Sequence, residues 1–261
     1  MKHISINNKK IFFTDDGHGE VLVLLHGFTE SMDIWKRFGK KLSRNFRVIT
    51  IDLPGHGASD VLSPVHSMEL LADVVKGVLK NQGIRKCTMI GHSMGGYVTL
   101  AFAARYPSML KKLGLFHSHP FPDTPEEKKN RERAVSVIDQ NKSSYLMNFI
   151  PDLFAEENRK IFHEEILVLI EKANQMTREG VVASQLGMKD RVDQCDLLRN
   201  LNIPVMLIIG LKDTRFPHER LTEMITLAKR THCLILRDAG HMGYLEDEKS
   251  TMDFVENFLR C

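Results

Sequence analysis

Gly91-His92-Ser93-Met94-Gly95-Gly96 places a serine between glycines, at the junction of an apolar run, KCTMI, and a segment of helical spacing, YVTLAFAARY. A serine hydroxyl attacks a carbonyl at neutral pH only when it is exposed and a neighbouring base takes its proton. A sharp strand-to-helix turn provides the exposure, and glycines two before and two after leave room for backbone that a Cβ would block. The chemistry that follows is acyl transfer. In a strand–serine–helix arrangement of this kind the acid and then the histidine come later in the chain. Only His218, His232 and His241 come late enough to follow such an acid. His232 opens an apolar run and His218 follows Phe216-Pro217 at a helix start. His241 lies in Asp238-Ala239-Gly240-His241-Met242, a loop directly after the last apolar run, and is the expected base. Asp213, in Gly210-Leu211-Lys212-Asp213 just past PVMLII, is the expected acid, holding the imidazole in one tautomer. Asp238 is a rival, but three residues along one loop is a poor position from which to bridge to the far ring nitrogen.

Acyl transfer also builds negative charge on the carbonyl oxygen, and backbone N–H groups are the usual donors for it. Leu25-His26-Gly27-Phe28 follows an apolar run, and the amides of Phe28 and Met94 form the expected oxyanion pair.

The elements that must hold these residues are legible as periodicity. His3 to Ile6 and Lys10 to Phe13, joined across Asn7-Asn8, predict an antiparallel hairpin. Val21 to Leu25, Phe46 to Ile51, Lys86 to Ile90, Lys112 to Phe116, Pro204 to Ile209 and His232 to Leu236 follow as short apolar runs, and those such as VLVLL and VMLIIG are apolar throughout rather than alternating, as expected of parallel strands covered on both faces. His66 to Gln82, with Leu70, Val74, Val78 and Leu79 on one stripe and Gly83 after it, predicts a helix. So does Met94 to Arg105, and Phe254, Phe258 and Leu259 mark a final one. Strands alternating with helices give an α/β class with a mostly parallel, eight-stranded sheet.

From about Ser118 to Asp190 the pattern changes. After the Pro-rich turn HPFPDTP come helical stripes only: Ala134, Val137 and Ile138, then Phe162, Ile166, Leu169 and Ile170. This predicts a helical cap, 118–190, inserted after the sixth strand into a core formed by 1–117 and 191–261. Such an insertion sits over the carboxyl ends of the strands, where ligands bind. Phe121, Tyr145, Met147, Phe149, Phe154 and Met176 either form an apolar acyl pocket or simply pack the cap against the core, and no obvious arginine clamp accompanies them. His26 and His117 are the polar groups expected beside the substrate, together with Phe121, Tyr145 and Phe149. His117-Ser118-His119 has the spacing of a metal-ligand pair, but two ligands without a carboxylate cluster do not make a site. No metal or cofactor is expected.

The set HGF, DLPGHGAS, GHSMGG, GLKD and AGHM resembles the α/β-hydrolase superfamily, in its esterase-like branch, from about Val21 to Leu259. The resemblance maps the family's nucleophile, acid and base onto Ser93, Asp213 and His241, and its oxyanion amides onto Phe28 and Met94. It implies a serine hydrolase cleaving small or medium esters through an acyl-enzyme. A carbon–carbon hydrolase or menaquinone-pathway-like lyase using the same triad is the alternative, and an arginine directed into the cleft would favour it. A receptor built on the fold is a third. Serine at position 93 argues against the haloalkane dehalogenase branch, where aspartate stands. The segment Asp52 to Gly57 resembles the loop after the fourth strand, which shapes the site.

Composition narrows the partners. With 261 residues, 43% hydrophobic and 26% charged, the chain is long enough for a sizeable core. A formal charge of +3 without dense basic runs gives no footprint for nucleic acid or anionic lipid. The first residues, MKHISINNKKIFF, lack the apolar stretch of a secretory signal, and the four cysteines show no CxxC spacing. A cytoplasmic monomer or homodimer with free thiols, acting on a small-molecule ester, is the expectation.

Overall fold

In the computed structural model, which describes all 261 residues, the apolar runs become eight strands. They are β1 (Lys2–Ile6), β2 (Lys9–Asp16), β3 (Val21–Leu25), β4 (Arg47–Ile51), β5 (Cys87–His92), β6 (Leu110–Phe116), β7 (Val205–Gly210) and β8 (Thr231–Leu236). The helices are α1 (Lys36–Leu42), α2 (Met68–Asn81), α3 (Met94–Arg105), α4 (Pro125–Phe149), α5 (His163–Asn174), α6 (Arg178–Lys189), α7 (Cys195–Asn200), α8 (Leu221–Leu227), α9 (Gly243–Glu246) and α10 (Glu248–Arg260). One sheet runs in the order β1-β2-β4-β3-β5-β6-β7-β8. Only β1–β2 and β2–β4 pair antiparallel; every other neighbour is parallel. The β1–β2 hairpin turns on Asn7 and Asn8, both at positive φ (50° and 60°), a conformation asparagine tolerates better than most residues.

Side chains of a strand alternate between faces, so each buried strand feeds two cores. Val23 and Leu25 join α2 and α3 on one side, while Leu22 and Leu24 join Trp35, Phe38 and α10 on the other. Burial on both faces is why these runs carry no polar alternation. The α2 stripe is Leu71, Val74, Val75 and Val78, with Leu70 only half-buried, one residue off the expected register. Ser67 caps its start by accepting from Leu70 N–H.

Between β6 and β7 the chain is helical throughout, as its spacing predicts. Thr124 and Glu127 form a reciprocal capping box at the start of α4, which kinks at Asn141 (φ −156°, ψ 89°). Ile138 and Ile166 are buried, but Val137 is 45% exposed and does not belong to the packing stripe. No helix is long and apolar enough to cross a membrane.

Candidate active site

Ser93 sits at φ 50°, ψ −117°, a positive-φ conformation in which a side chain is strained. The strain is imposed from both sides. Ser93 N–H donates to Phe116 O (2.9 Å), extending the β5–β6 ladder to the last possible residue, and Gly96 N–H donates to Ser93 O (2.8 Å), opening α3. Residue 91 must be glycine, because a Cβ there would stand 2.1 Å from the carbonyl group of Gly95. The Ser93 hydroxyl lines a cavity and bonds to no protein atom.

The loop after β3 closes on the serine. A Cβ on residue 27 would lie 3.1 Å from Ser93 Cβ. The N–H groups of Phe28 and Met94 have no acceptor within the protein. Two free amides, one on this loop and one opening α3, are therefore available beside the hydroxyl. His26, expected beside the substrate, is instead fully buried and outside the cavity. Its Nε2 accepts from Leu53 N–H (2.9 Å) and its Nδ1 bonds Gly27 O (2.8 Å), so both ring nitrogens are spent on backbone. It fixes the loop rather than a ligand. Asp52 braces the same region, accepting from Met32 N–H and Ala58 N–H.

Asp213 and His241 meet as their positions past β7 and β8 allow: His241 Nδ1 stands 2.7 Å from Asp213 Oδ2. His241 Nε2 is left without a protein partner, and both His241 and Ser93 line the cavity. Asp238 points away, 90% exposed, 3.6 Å from Lys212. The loop is held by His241 N–H donating to Leu153 O (2.7 Å). Burial would raise the Asp213 pKa, yet His241 and His117 together hold it well below the usual carboxylate range.

His117 contributes something its sequence context did not signal. It sits at φ 48°, accepts from Gly243 N–H on Nε2 (3.2 Å), and brings Nδ1 to 3.4 Å from Asp213 Oδ2. Because Nε2 accepts, Nδ1 carries the proton, and a second imidazole N–H faces the acid. Burial lowers the His117 pKa to about 4, so the ring stays neutral. His117, Asp213 and His241 converge closely enough to suggest a metal. The Asp213–His241 bond already uses two of those atoms, and His117 Nδ1 carries its proton 3.4 Å from the same carboxylate, so the trio reads as two imidazoles gathered around one buried acid.

A second network is absent from any motif. Glu30 Oε2 accepts from Gly27 N–H (2.6 Å) and His92 Nδ1 (2.9 Å), and Oε1 accepts from Tyr244 OH (3.0 Å). His92 Nε2 donates to His241 O (2.9 Å). Since a carbonyl and a carboxylate only accept, His92 is an imidazolium, its pKa raised by Glu30 against the opposing effect of burial. Burial would raise the Glu30 pKa, but His92 lowers it below its ordinary value. One buried ion pair thus ties the loop after β3, the residue before Ser93 and the backbone of His241. Glu30→Gln is expected to cost about 2 kcal/mol, the range for losing a charged hydrogen bond. A depressed carboxylate stabilises above its unfolded pKa and a raised histidine below its own. The gap in urea midpoint should therefore be widest between about pH 4.5 and 6.5 and narrow as pH rises through the raised His92 pKa. A gap independent of pH would show that His92 is neutral.

The cavity measures about 430 Å³. Phe28, Phe149, Leu153 and Tyr145 line one part, so Tyr145 and Phe149 stand where the sequence placed them. Phe149 meets Phe28 edge-on (5.5 Å) and stacks on Tyr145 (5.4 Å). His117 also lines it. Phe121 does not: it is buried under the Arg220 guanidinium (3.4 Å) and stacked on His119 (5.4 Å), filling the seam beside the cavity. Phe154 and Met176 are core, and Met147 is 61% exposed. The expectation of a cleft without arginines is also overturned, since Arg131, Arg191 and Arg215 all line it. Each comes from a segment whose spacing reads as solvated helix or loop, and only the tertiary fold turns them inward.

The chain matches the family model described as alpha/beta hydrolase fold over residues 20–248. A thermophilic esterase from Thermogutta terrifontis, solved with malate bound, superposes with a TM-score of 0.93 at 31% identity, covering 100% of this chain and 98% of that one. The enol-lactonase from Burkholderia xenovorans LB400 shares the fold, with a TM-score of 0.91 at 20% identity and full coverage of both chains. In sequence, the Escherichia coli 2-hydroxy-6-oxononadienedioate/2-hydroxy-6-oxononatrienedioate hydrolase is 25% identical over 265 residues, 96% of this chain and 91% of that protein. With its strained strand-to-helix serine, its eight-stranded sheet and a family match spanning most of its length, the chain belongs to the alpha/beta hydrolase fold family.

Proposed function

We propose that this hydrolase cleaves carboxylic esters through an acyl-enzyme, with Ser93 as nucleophile, His241 as base and Asp213 as the acid that orients it. Ser93 attacks the ester carbonyl while His241 Nε2 takes its proton, and the oxyanion that forms is held by the amides of Phe28 and Met94. The alcohol leaves with the proton from His241, and water then cleaves the acyl-enzyme by the same route. Segment 118–190 acts as a cap over this site, and 1–117 with 191–261 form the core. The observation that carries the reading is the 2.7 Å contact between His241 Nδ1 and Asp213, which leaves Nε2 free in the cavity that the unbonded Ser93 hydroxyl also lines. The Phe28–Phe149 part of the cavity suits a small or medium acyl group.

A fluorophosphonate probe tests this directly. Intact-mass and peptide mapping are expected to show one adduct, on Ser93, and none in Ser93→Ala; a folded protein that takes no label would favour a ligand-binding role. Turnover of p-nitrophenyl esters from acetate to octanoate should peak at short or medium chains. Carbon–carbon hydrolysis with the same triad is the second reading, favoured by the arginines in the cleft and by the dienedioate hydrolases among the relatives. It predicts labelling of Ser93 with weak turnover across the whole ester series.

A further inference from the structure

One wall of the cavity holds more positive charge than it neutralises. Arg131 forks the Asp123 carboxylate through Nε and Nη2 (3.3 Å for the latter), and Arg191 Nη1 shares its Oδ1. The side chains of Arg131, Arg191 and Asp123 are 19%, 5% and 1% exposed, so two largely buried guanidiniums face one buried carboxylate. One positive charge is left without compensation where screening is weak, and such a group is costly unless it is paired. Arg191 spends Nε on Phe121 O (3.0 Å) and Nη1 also on Met188 O (3.2 Å), with its guanidinium 4.2 Å above the Tyr97 ring. Its Nη2 bonds nothing in the protein.

Two further features point the same way. Gln185 links Arg131 to Tyr145, accepting from Arg131 Nη1 (3.0 Å) and donating to the Tyr145 hydroxyl (2.9 Å), so the phenolic hydrogen has no protein acceptor. Arg215 stacks over Phe149 (4.9 Å) and has no carboxylate within 4 Å. The remaining acids on the cavity wall do not cancel this excess. Glu30 is balanced by His92, and Glu127 is exposed and caps Thr124 N–H (2.6 Å).

We propose that the Arg131–Arg191–Asp123 cluster is a carboxylate subsite, and that the substrate is an ester bearing a second, free carboxylate remote from the scissile bond. A neutral ester would leave Arg191 Nη2 and the excess charge unpaired, whereas a carboxylate answers both, and planar guanidinium groups suit carboxylate geometry. Arg215, on the apolar side, draws the same anion toward the mouth. The proposal rests on the hydrolase reading but can fail separately from it.

The test compares mono-p-nitrophenyl adipate with p-nitrophenyl hexanoate, matched in acyl length and differing by the carboxylate. Wild type is expected to favour the acid ester at least tenfold in kcat/KM. Arg191→Gln should reduce that preference about tenfold, mainly through KM, with partial recovery in Arg191→Lys; the exposed Arg215→Gln should reduce it about threefold. A wild type that prefers the neutral ester, or a preference unchanged in Arg191→Gln because both esters fall in parallel, would overturn the subsite and leave the esterase intact. Calorimetry with adipate itself reads the subsite without turnover. Tighter binding to wild type than to Arg191→Gln supports it even if neither ester is cleaved, and equal or absent binding sinks it.

Discussion

Ser93→Ala is expected to lower kcat for p-nitrophenyl esters by about 10³-fold or more while changing KM little, because the hydroxyl contributes to the reacting bond and not to ground-state binding. The prediction is sharper than for a generic surface serine. Ser93 Oγ makes no hydrogen bond within the protein, so its removal breaks no polar network, and alanine retains the Cβ beside the loop after β3. The strained backbone at φ 50° is set by Gly91, the Ser93–Phe116 ladder bond and the start of α3, none of which the substitution touches. The melting temperature should therefore stay the same or rise slightly. Asp213→Asn makes a different prediction. Asparagine would present its amide to His241 Nδ1, from which aspartate accepts at 2.7 Å, and to the imidazole of His117, whose Nδ1 stands 3.4 Å away. His241 would lose the tautomer that leaves Nε2 free to accept, and a loss of about 10⁴-fold in kcat is expected, the scale found when such an acid is made an amide. Single-turnover kinetics on purified variants checks both. A Ser93→Ala enzyme with activity within tenfold of wild type would remove the serine from the mechanism.

The second large effect is on stability in mild acid. His26, His56, His66, His117 and His119 are all buried, and burial lowers the pKa of each, to about 4 for His66 and His117. A histidine whose folded pKa lies below its unfolded value of about 6.5 is neutral when folded and charged when unfolded across the interval between them. The unfolded chain then binds the extra proton. Stability is present above about pH 6.5 and falls toward the folded pKa, by about 1.4 kcal/mol per pH unit for each group. With several such groups acting in the same direction, a fall of about two pH units removes a sizeable part of the stability of an ordinary domain, which is about 5–15 kcal/mol. His92 does not contribute to this slope, because its raised pKa keeps it charged in both states below pH 6.5. Urea midpoints measured from pH 8 to pH 5 should drop steeply just below 6.5, well before ordinary carboxylates titrate. His66→Gln, away from the triad, should lessen the slope by about one proton. A midpoint that stays flat to pH 5 would mean these rings are not buried neutral.

Most of the fold was readable because it rests on local signals. Short, largely apolar runs marked the six later strands, and Asn7-Asn8 marked the hairpin turn. Gly91 and Gly95 around Ser93 gave the turn from β5 into α3. The errors in helix α2, one residue of register at Leu70, and in α4, where Val137 faces solvent, arise because an amphipathic stripe fixes a face only to within one position. His26 was misplaced for a related reason: adjacency to a functional loop does not tell whether a side chain points into the cavity or back into the core. Phe121 shows the same ambiguity for an aromatic at a domain seam.

The positions of the proposed triad, Ser93, Asp213 and His241, were legible in the sequence alone, since each follows a recognisable strand and parallel strands deliver their carboxyl ends to one rim of the sheet. What only the tertiary structure decided is how that rim is wired. Glu30 and His92 lie 62 positions apart and Asp123 and Arg191 lie 68 apart, and no periodicity links such pairs. His117 reaches Asp213, and three arginines turn inward, through the packing of helices against loops. Burial then gives these groups their effect: a lone charge or ring nitrogen seen in sequence looks solvated, and becomes chemically distinctive only when neighbouring chain removes water from it.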